Sequence, residues 1–208
     1  MHVIDALNWR YSVKQFSDQT LQPWQVNQLL EATQLSPSSY GLQPYKVLVV
    51  TSQDVRERLV PFAFGQKQVA ESSHLLVFAT RTDIDTPLVD EYISLAKAKN
   101  GASPASLAGF AEMAKGAING MNQAQRARWA EQQTFVALGN MITSAAMMKI
   151  DTCPIGGFEP DAFDRILGLK EKQLTSSVIC PIGIRDENDK YGQYEKVRFD
   201  VSHPLAEQ

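Results

Sequence analysis

The run FVALGNMITSAAMM, residues 135–148, decides the architecture, since only Asn140, Thr143 and Ser144 are polar in it and they are scattered around a helical turn. A helix of this composition has no face to give to water, so it belongs inside the molecule or in an interface between subunits. Read outward in both directions, the helical pattern extends from about Gln123 to Lys149, the longest candidate in the chain. Gly139 and the nearby alanines permit another helix to approach closely.

On the C-terminal side, CPIGGF (153–158) breaks the chain, Pro160 opens a short helix closed by Gly168, and LTSSVICPIGI (174–184) is of strand length. A charged, irregular tail, RDENDKYGQYEKVRFDVSHP (185–204), follows. On the N-terminal side, Thr86-Pro87 and Ser103-Pro104 are two matching cap-then-proline helix starts separated by KNGAS. HLLVFAT from His74 and YKVLVVT from Tyr45 are two more buried strands, and Ser52 caps a short helix ending near Leu59. SPSSYGLQP (36–44) is a loop. Pro23 begins a helix with Val26, Leu29, Leu30 and Thr33 on one face, and residues 2–9 form another with Val3, Ile4 and Leu7 aligned. Helices outnumber strands, without repeats or a flexible linker. The pattern predicts one α+β domain over residues 1–208.

Composition narrows the function. A length of 208 residues, 44% hydrophobic, suffices for a real core. A net charge of −3 argues against general nucleic-acid binding, which needs a surplus of cations. No apolar run reaches membrane-spanning length, and Met1 is not followed by a charged-then-apolar leader. Cys153 and Cys180 lack C-x-x-C spacing and are expected to be reduced thiols in a cytoplasmic protein; His2, His74 and His203 are too scattered for a metal site. G-x-G, G-K-[ST], G-x-S-x-G and H-E-x-x-H are all absent.

Chemistry therefore rests on local clusters. In RYSVKQF (10–16), Arg10, Ser12 and Lys14 alternate with Tyr11 and Val13, so an extended segment points them one way. Lys196 and Arg198 in EKVRF repeat the device near the other end. If the ends meet, three cations and a hydroxyl can surround one phosphate, each Arg in bidentate fashion. In PIGGF, Pro154 fixes a turn and Gly156 and Gly157 allow a backbone to lie against a flat ligand.

Taken in order, RYSVKQF, SPSSYGLQPY, LGN, PIGGF, GLKEK and KVRF resemble the nitroreductase family of FMN oxidoreductases over essentially the whole chain. The resemblance implies a three-layer α+β fold, a central mixed but mostly antiparallel sheet wrapped by helices, in an obligate homodimer with FMN in two equivalent interface sites. It places Arg10, Ser12, Lys196 and Arg198 at the FMN phosphate, and Tyr11 and Ser12 near the ribityl chain. Lys14 would reach the pyrimidine edge, with Gln68 where some relatives carry a Lys. Pro37, Ser38 and Ser39 would come from the partner subunit. Pro154 and Ile155 would back the ring, and the amides of Gly156 and Gly157 would face it.

The implied reaction is ping-pong hydride transfer from NAD(P)H to FMN and then to a nitroaromatic, quinone or flavin acceptor. No protein nucleophile is needed; Lys14 and Gly156 tune the ring. A flavin-binding storage or sensor protein of the same fold is the alternative. Gly156 stands where the family often has a Glu, which predicts an altered reduction potential or substrate preference. Gly41, Tyr45 and Gly65 replace an Asn, a Trp and an Asn, leaving fewer polar contacts to the ring unless Gln66 or Gln68 compensates. Tyr40, Phe62 and Phe64 match positions lining a channel for planar aromatic acceptors. A helical excursion at about 86–121 covers it, with Lys115 near a place where some relatives have aromatics.

Overall fold

The computed structural model describes residues 2–200; the end of the expected irregular tail, including His203, lies outside the described residues. Four strands form one sheet: β1 (Tyr45–Val50), β2 (His74–Arg81), β3 (Asp151–Thr152) and β4 (Leu174–Gly183). Their spatial order is β1-β2-β4-β3, and every neighbouring pair is antiparallel. The mixed character comes from one parallel bridge, between Ser12 and Thr152. Three strands begin where the Val- and Leu-rich runs predict; β3, only two residues long, is too short to leave a pattern.

Alternation in β2 and β4 sends side chains to two separate cores. Leu76, Phe78, Val178 and Ile182 pack on one face against Leu29 of α2 (Pro23–Gln34) and Ala137, Met141 and Ala145 of α7 (Gln123–Met147). Leu75, Val77 and Ile179 pack on the other, against Leu59 of α3 (Gln53–Leu59), Val69 of α4 (Gln68–Glu71) and Phe163 of α8 (Pro160–Leu167). The sheet is thus the middle of three layers. The excursion is a pair of helices, α5 (Thr86–Asn100) and α6 (Pro104–Asn119), whose Leu88, Val89, Ala114 and Ile118 bury a third cluster with Ala130 of α7.

Ser52 and Ser103 cap α3 and α6 as expected, accepting from the amides of Val55 and Ser106. At α5 the cap is Asp85 instead of Thr86, because the Asp85 carboxylate accepts from the Thr86 amide and Thr86 becomes the first helical residue. Gly168 ends α8 in the left-handed conformation.

Two apolar faces point outward. In α1 (Val3–Trp9), Ala6 is the residue buried, and α1 packs on α7. Val3, Ile4 and Leu7 are left 46%, 63% and 39% exposed, so the expected apolar face does not enter this chain's core. The inner half of α7 is buried as its composition requires. Its outer half, with Phe135, Val136 and Met147, is exposed, and a Cβ at Gly139 would meet nothing within 4 Å.

Candidate functional site

Residues 10–16 run extended beside β3. The Val13 amide donates to Thr152 O at 3.3 Å and the Ser17 amide to Ile184 O at 2.9 Å. Alternation holds as far as Val13, which enters the core while Arg10 and Ser12 stay half-buried and Lys14 exposed; a bend at Lys14 and Gln15 then turns Phe16, which shares the register of the cations, into the core. The segment is fastened by Asp189, a buried carboxylate from beyond β4. Its Oδ2 accepts from the amides of Lys14 (2.8 Å) and Gln15 (3.2 Å), and its Oδ1 from that of Tyr191 (3.1 Å). Burial opposes ionisation of Asp189, but these amides outweigh it and hold the carboxyl below its ordinary range.

The two ends of the described chain meet here. Lys196 Nζ donates to Asn8 O at 2.5 Å, and Arg10 Nη2 to Ser12 Oγ at 3.4 Å. Burial and then the charge of Arg198 lower the pKa of Arg10; burial and then Arg10, Arg198 and Arg185 lower that of Lys196. Like charges have been gathered, and Arg10 belongs to none of the ion pairs among the described residues. Its Nε is buried without a hydrogen-bond partner. Burial and then Asp189 push the Tyr11 phenol up to about 12.

Lys14 leads to the second half of the site. Its Nζ lies 3.6 Å from Cys153 Sγ, and Gln68 Nε2 lies 3.8 Å from the same sulfur. Lys14 and Gln68 line a cavity of about 740 Å³ with the Gly65–Lys67 loop. Next to Cys153, Ile155 is paired in both directions with Ile179 and its side chain is buried in the core, so it supports the turn from below. Pro154 is half-buried, and Gly156 and Gly157 are exposed. A Cβ on Gly156 would meet nothing, and one on Gly157 only the Phe64 ring edge at 4.0 Å. Gln66 Nε2 donates to Gly157 O (2.9 Å) and the Glu159 amide to Phe62 O (2.8 Å), tying the glycine turn to the Phe62–Gln66 loop. Phe64 is 67% exposed with left-handed backbone, while Phe62 is half-buried beneath Arg165.

Pro37, Ser38, Ser39 and Tyr40 sit apart from both halves within this chain. The Ser39 amide donates to Gln133 Oε1 (2.8 Å), the Gln43 amide to Ser38 Oγ (3.0 Å), and Tyr40 meets Phe110 edge-on at 6.5 Å. The loop is thus held by α7 and α6. Lys115 pairs with Asp90 at 2.6 Å, joining α6 to α5.

Sequence reasoning missed the groups that hold the site together. Arg185 makes Nε and Nη2 bonds to Asp151 at 2.9 and 2.6 Å and lies over the rings of Trp9 (4.1 Å) and Tyr11 (4.5 Å). Asp151, Arg185 and Asp189 carried no local signal in the sequence, because each acts on a segment more than thirty residues away. Cys153 stood beside PIGGF and could have been suspected from that position.

Comparison with known proteins identifies the family and the fold. The family model described as "Nitroreductase family" matches residues 7–184. A Bacillus subtilis protein named "Putative NAD(P)H nitroreductase YfkO" is 34% identical over 195 residues, spanning 88% of this chain and 88% of its own. A Staphylococcus epidermidis protein, also named "Putative NAD(P)H nitroreductase", is 32% identical over 208 residues, spanning 96% and 94%. Among solved structures, a Bacillus subtilis protein described as "putative nitroreductase ydfN" superposes with a TM-score of 0.85 at 23% identity, over 95% of this chain and 94% of that one. An Exiguobacterium sibiricum protein described as "a putative nitroreductase in complex with FMN" gives 0.81 at 22% identity over 97% and 94%. The chain belongs to the nitroreductase family.

Proposed function

We propose that this chain is an FMN-dependent NAD(P)H oxidoreductase that works as a homodimer and passes hydride to nitroaromatic, quinone or flavin acceptors in a ping-pong cycle. The observation that carries the reading is the hydrogen bond from Lys196 Nζ to Asn8 O, which brings the segment of Lys196 and Arg198 to that of Arg10, whose buried Nε lacks a partner. Cations that depress one another's pKa are stabilised by an anion, and a phosphate accepts from several of them at once.

The remaining residues fit the rest of FMN. The exposed, uncrowded glycines at 156 and 157 leave room for a flat ring and present backbone to it. Lys14 takes part in none of the ion pairs among the described residues, so its charge is available at the edge of the cavity shared with Gln68. When bound, FMN supplies the hydride chemistry. The protein's part is to grip the phosphate, to back the ring through Pro154 and the Ile155-supported turn, and to hold a cation near its pyrimidine edge, where charge develops.

Dimerisation completes the site. The uncovered faces of α1 and α7 give each chain an apolar surface for a second copy. In the family arrangement, the partner's loop then brings its copies of Pro37, Ser38, Ser39 and Tyr40 to a flavin that one chain holds only from one side. Tyr40 and Phe64, both with left-handed backbone, would line the acceptor space with Phe62; such strain is retained where function uses it.

The purified protein, supplied with FMN, should bind it tightly and sediment as a dimer. NADH or NADPH without acceptor, under anaerobic conditions, should bleach the flavin band. Arg198→Ala should weaken FMN binding roughly ten- to a hundredfold, matching the about 1.5–3 kcal/mol of a charge-assisted hydrogen bond. A protein that rejects FMN, or an Arg198→Ala variant of unchanged affinity, overturns the assignment. Bound flavin that neither nicotinamide bleaches would leave a storage or sensor protein.

A further inference from the structure

Beneath the expected flavin edge lies a group that the reading above does not use. Cys153 has no exposed surface and directly follows β3. Its amide donates to Pro181 O at 2.9 Å, so the sheet fixes its backbone. The only other cysteine, Cys180, packs with Leu76 and Phe78 on one face of the sheet, whereas Cys153 packs with Val13 and Ile155 on the other. Both cysteines are free: the Cys180 thiol lies near the Cys153 backbone amide, but the two side chains pack on opposite faces, so Cys153 Sγ is open to other partners.

What it does is receive two donors. Lys14 Nζ at 3.6 Å and Gln68 Nε2 at 3.8 Å converge on its sulfur from two different segments, and both side chains line the same cavity. We propose that Cys153 is a positioning residue for the cofactor: its sulfur tethers Lys14 and Gln68 at the flavin edge without neutralising the lysine. The inference rests on the flavin reading above.

The choice of sulfur has a physical reason. A carboxylate at this place would orient Lys14 equally well, but it would form an ion pair and cancel the charge the ring is meant to meet. A serine hydroxyl is a stronger acceptor on a shorter bond, so it would draw both donors inward. A thiol accepts weakly and reaches further. Burial raises the pKa of Cys153, more than Lys14 and Gln68 lower it, which keeps the group an uncharged thiol. Lys14 is thus held in place with its full charge, which favours the reduced cofactor over the oxidised one because only the former carries extra negative charge beside it.

The test compares affinities of one protein for oxidised and reduced FMN, measured separately by titration of the apoprotein. The readout is the ratio of the two dissociation constants. In Cys153→Asp the preference for reduced FMN should fall tenfold or more, which is about 30 mV in the two-electron potential. In Cys153→Ala it should fall three- to tenfold, as Lys14 loses its tether. In a Lys14→Met background, Cys153→Ala should have no further effect on the ratio, since the two residues act as one unit. Should the aspartate variant not fold, the alanine and serine variants carry the test, with serine nearer to wild type than alanine. An unchanged ratio in Cys153→Ala, or an equal effect with and without Lys14, overturns the proposal while leaving FMN binding intact. Failure of the wild-type protein to bind FMN in either state overturns the flavin reading itself.

Discussion

Replacing Asp189 by asparagine removes one charge and leaves the shape of the side chain nearly unchanged. In the native protein the carboxylate accepts from three backbone amides, those of Lys14, Gln15 and Tyr191, at 2.8, 3.2 and 3.1 Å. Asparagine has one acceptor oxygen. Turned toward Lys14 and Gln15, it keeps two bonds as neutral ones and points its amino group at the Tyr191 amide, donor against donor. Charge assistance on two bonds is worth about 1 kcal/mol each, and the lost third bond leaves a buried donor unpaired at about 1–2 kcal/mol. The sum is about 3–4 kcal/mol, or a melting temperature lower by roughly 6–16 °C for a chain of this size.

The pH dependence provides an internal check. Asp189 is held below the ordinary carboxylate range when folded. A group with a depressed folded pKa binds its proton first in the unfolded chain, so its stabilisation is complete above the unfolded value, about 4, and is lost as pH falls through the folded one. Urea unfolding should therefore show a constant gap between wild type and Asp189→Asn from pH 5 to 7, narrowing below pH 4. The same variant should lose FMN affinity, because residues 190–198 carry Lys196 and Arg198 and are fastened to the N-terminal segment through this carboxylate. A destabilisation under about 1 kcal/mol with full FMN affinity would refute the fastening role.

Three further expectations come from other parts of the structure. At Gly183 a Cβ would lie 2.9 Å from the Phe16 ring and 3.1 Å from the Ser73 amide nitrogen; both neighbours are fixed, so Gly183→Ala should cost about 2–3 kcal/mol in urea unfolding, and a loss below 0.5 kcal/mol would contradict this packing. At Gly157 a Cβ would meet only the Phe64 ring edge at 4.0 Å, so Gly157→Ala should stay within about 0.5 kcal/mol of wild type in stability while FMN affinity drops at least tenfold; equal affinity would mean that the ring does not lean on this turn. Hydrogen exchange should slow on adding FMN at residues 8–15 and 186–198 more than in β2, and uniform protection across the chain would argue against a site built from the two ends.

Much of the frame was legible in the sequence because it depends on local period and punctuation. Helix α7 and strands β1, β2 and β4 run almost where their apolar runs predict, and Ser52, Ser103 and Gly168 end or begin helices for reasons visible within four residues. The outward turn of Val3, Ile4 and Leu7 was not legible, since periodicity shows that a face exists but not which partner covers it. The Asp85 cap was hidden by a threonine in the next position that could do the same work. The cationic residues could be picked out by type and spacing. The groups that aim them, Asp189, Arg185 with Asp151, and Cys153, could not, because their contacts exist only after the sheet has brought distant segments together.

That division follows from how the site is assembled. β3 and β4 are interior to the chain, and the N-terminal segment is laid against their ends through Ser12–Thr152 and Phe16–Arg185 bridges. Once the sheet exists, Asp189 lies only a few residues past β4, so closing the contact to Lys14 means ordering a short segment and not the whole chain. The ordering is still partial, for Tyr194, Val197 and Phe199 are 66%, 87% and 97% exposed in the single chain. Few apolar contacts hold residues 194–199, and the cations among them repel one another. An anion that binds Arg10, Lys196 and Arg198 removes that repulsion, so cofactor binding and the ordering of the C-terminal segment stabilise each other by linkage. Under the proposed function, the phosphate grip would then be no preformed cup that FMN enters but a part of the fold that FMN completes.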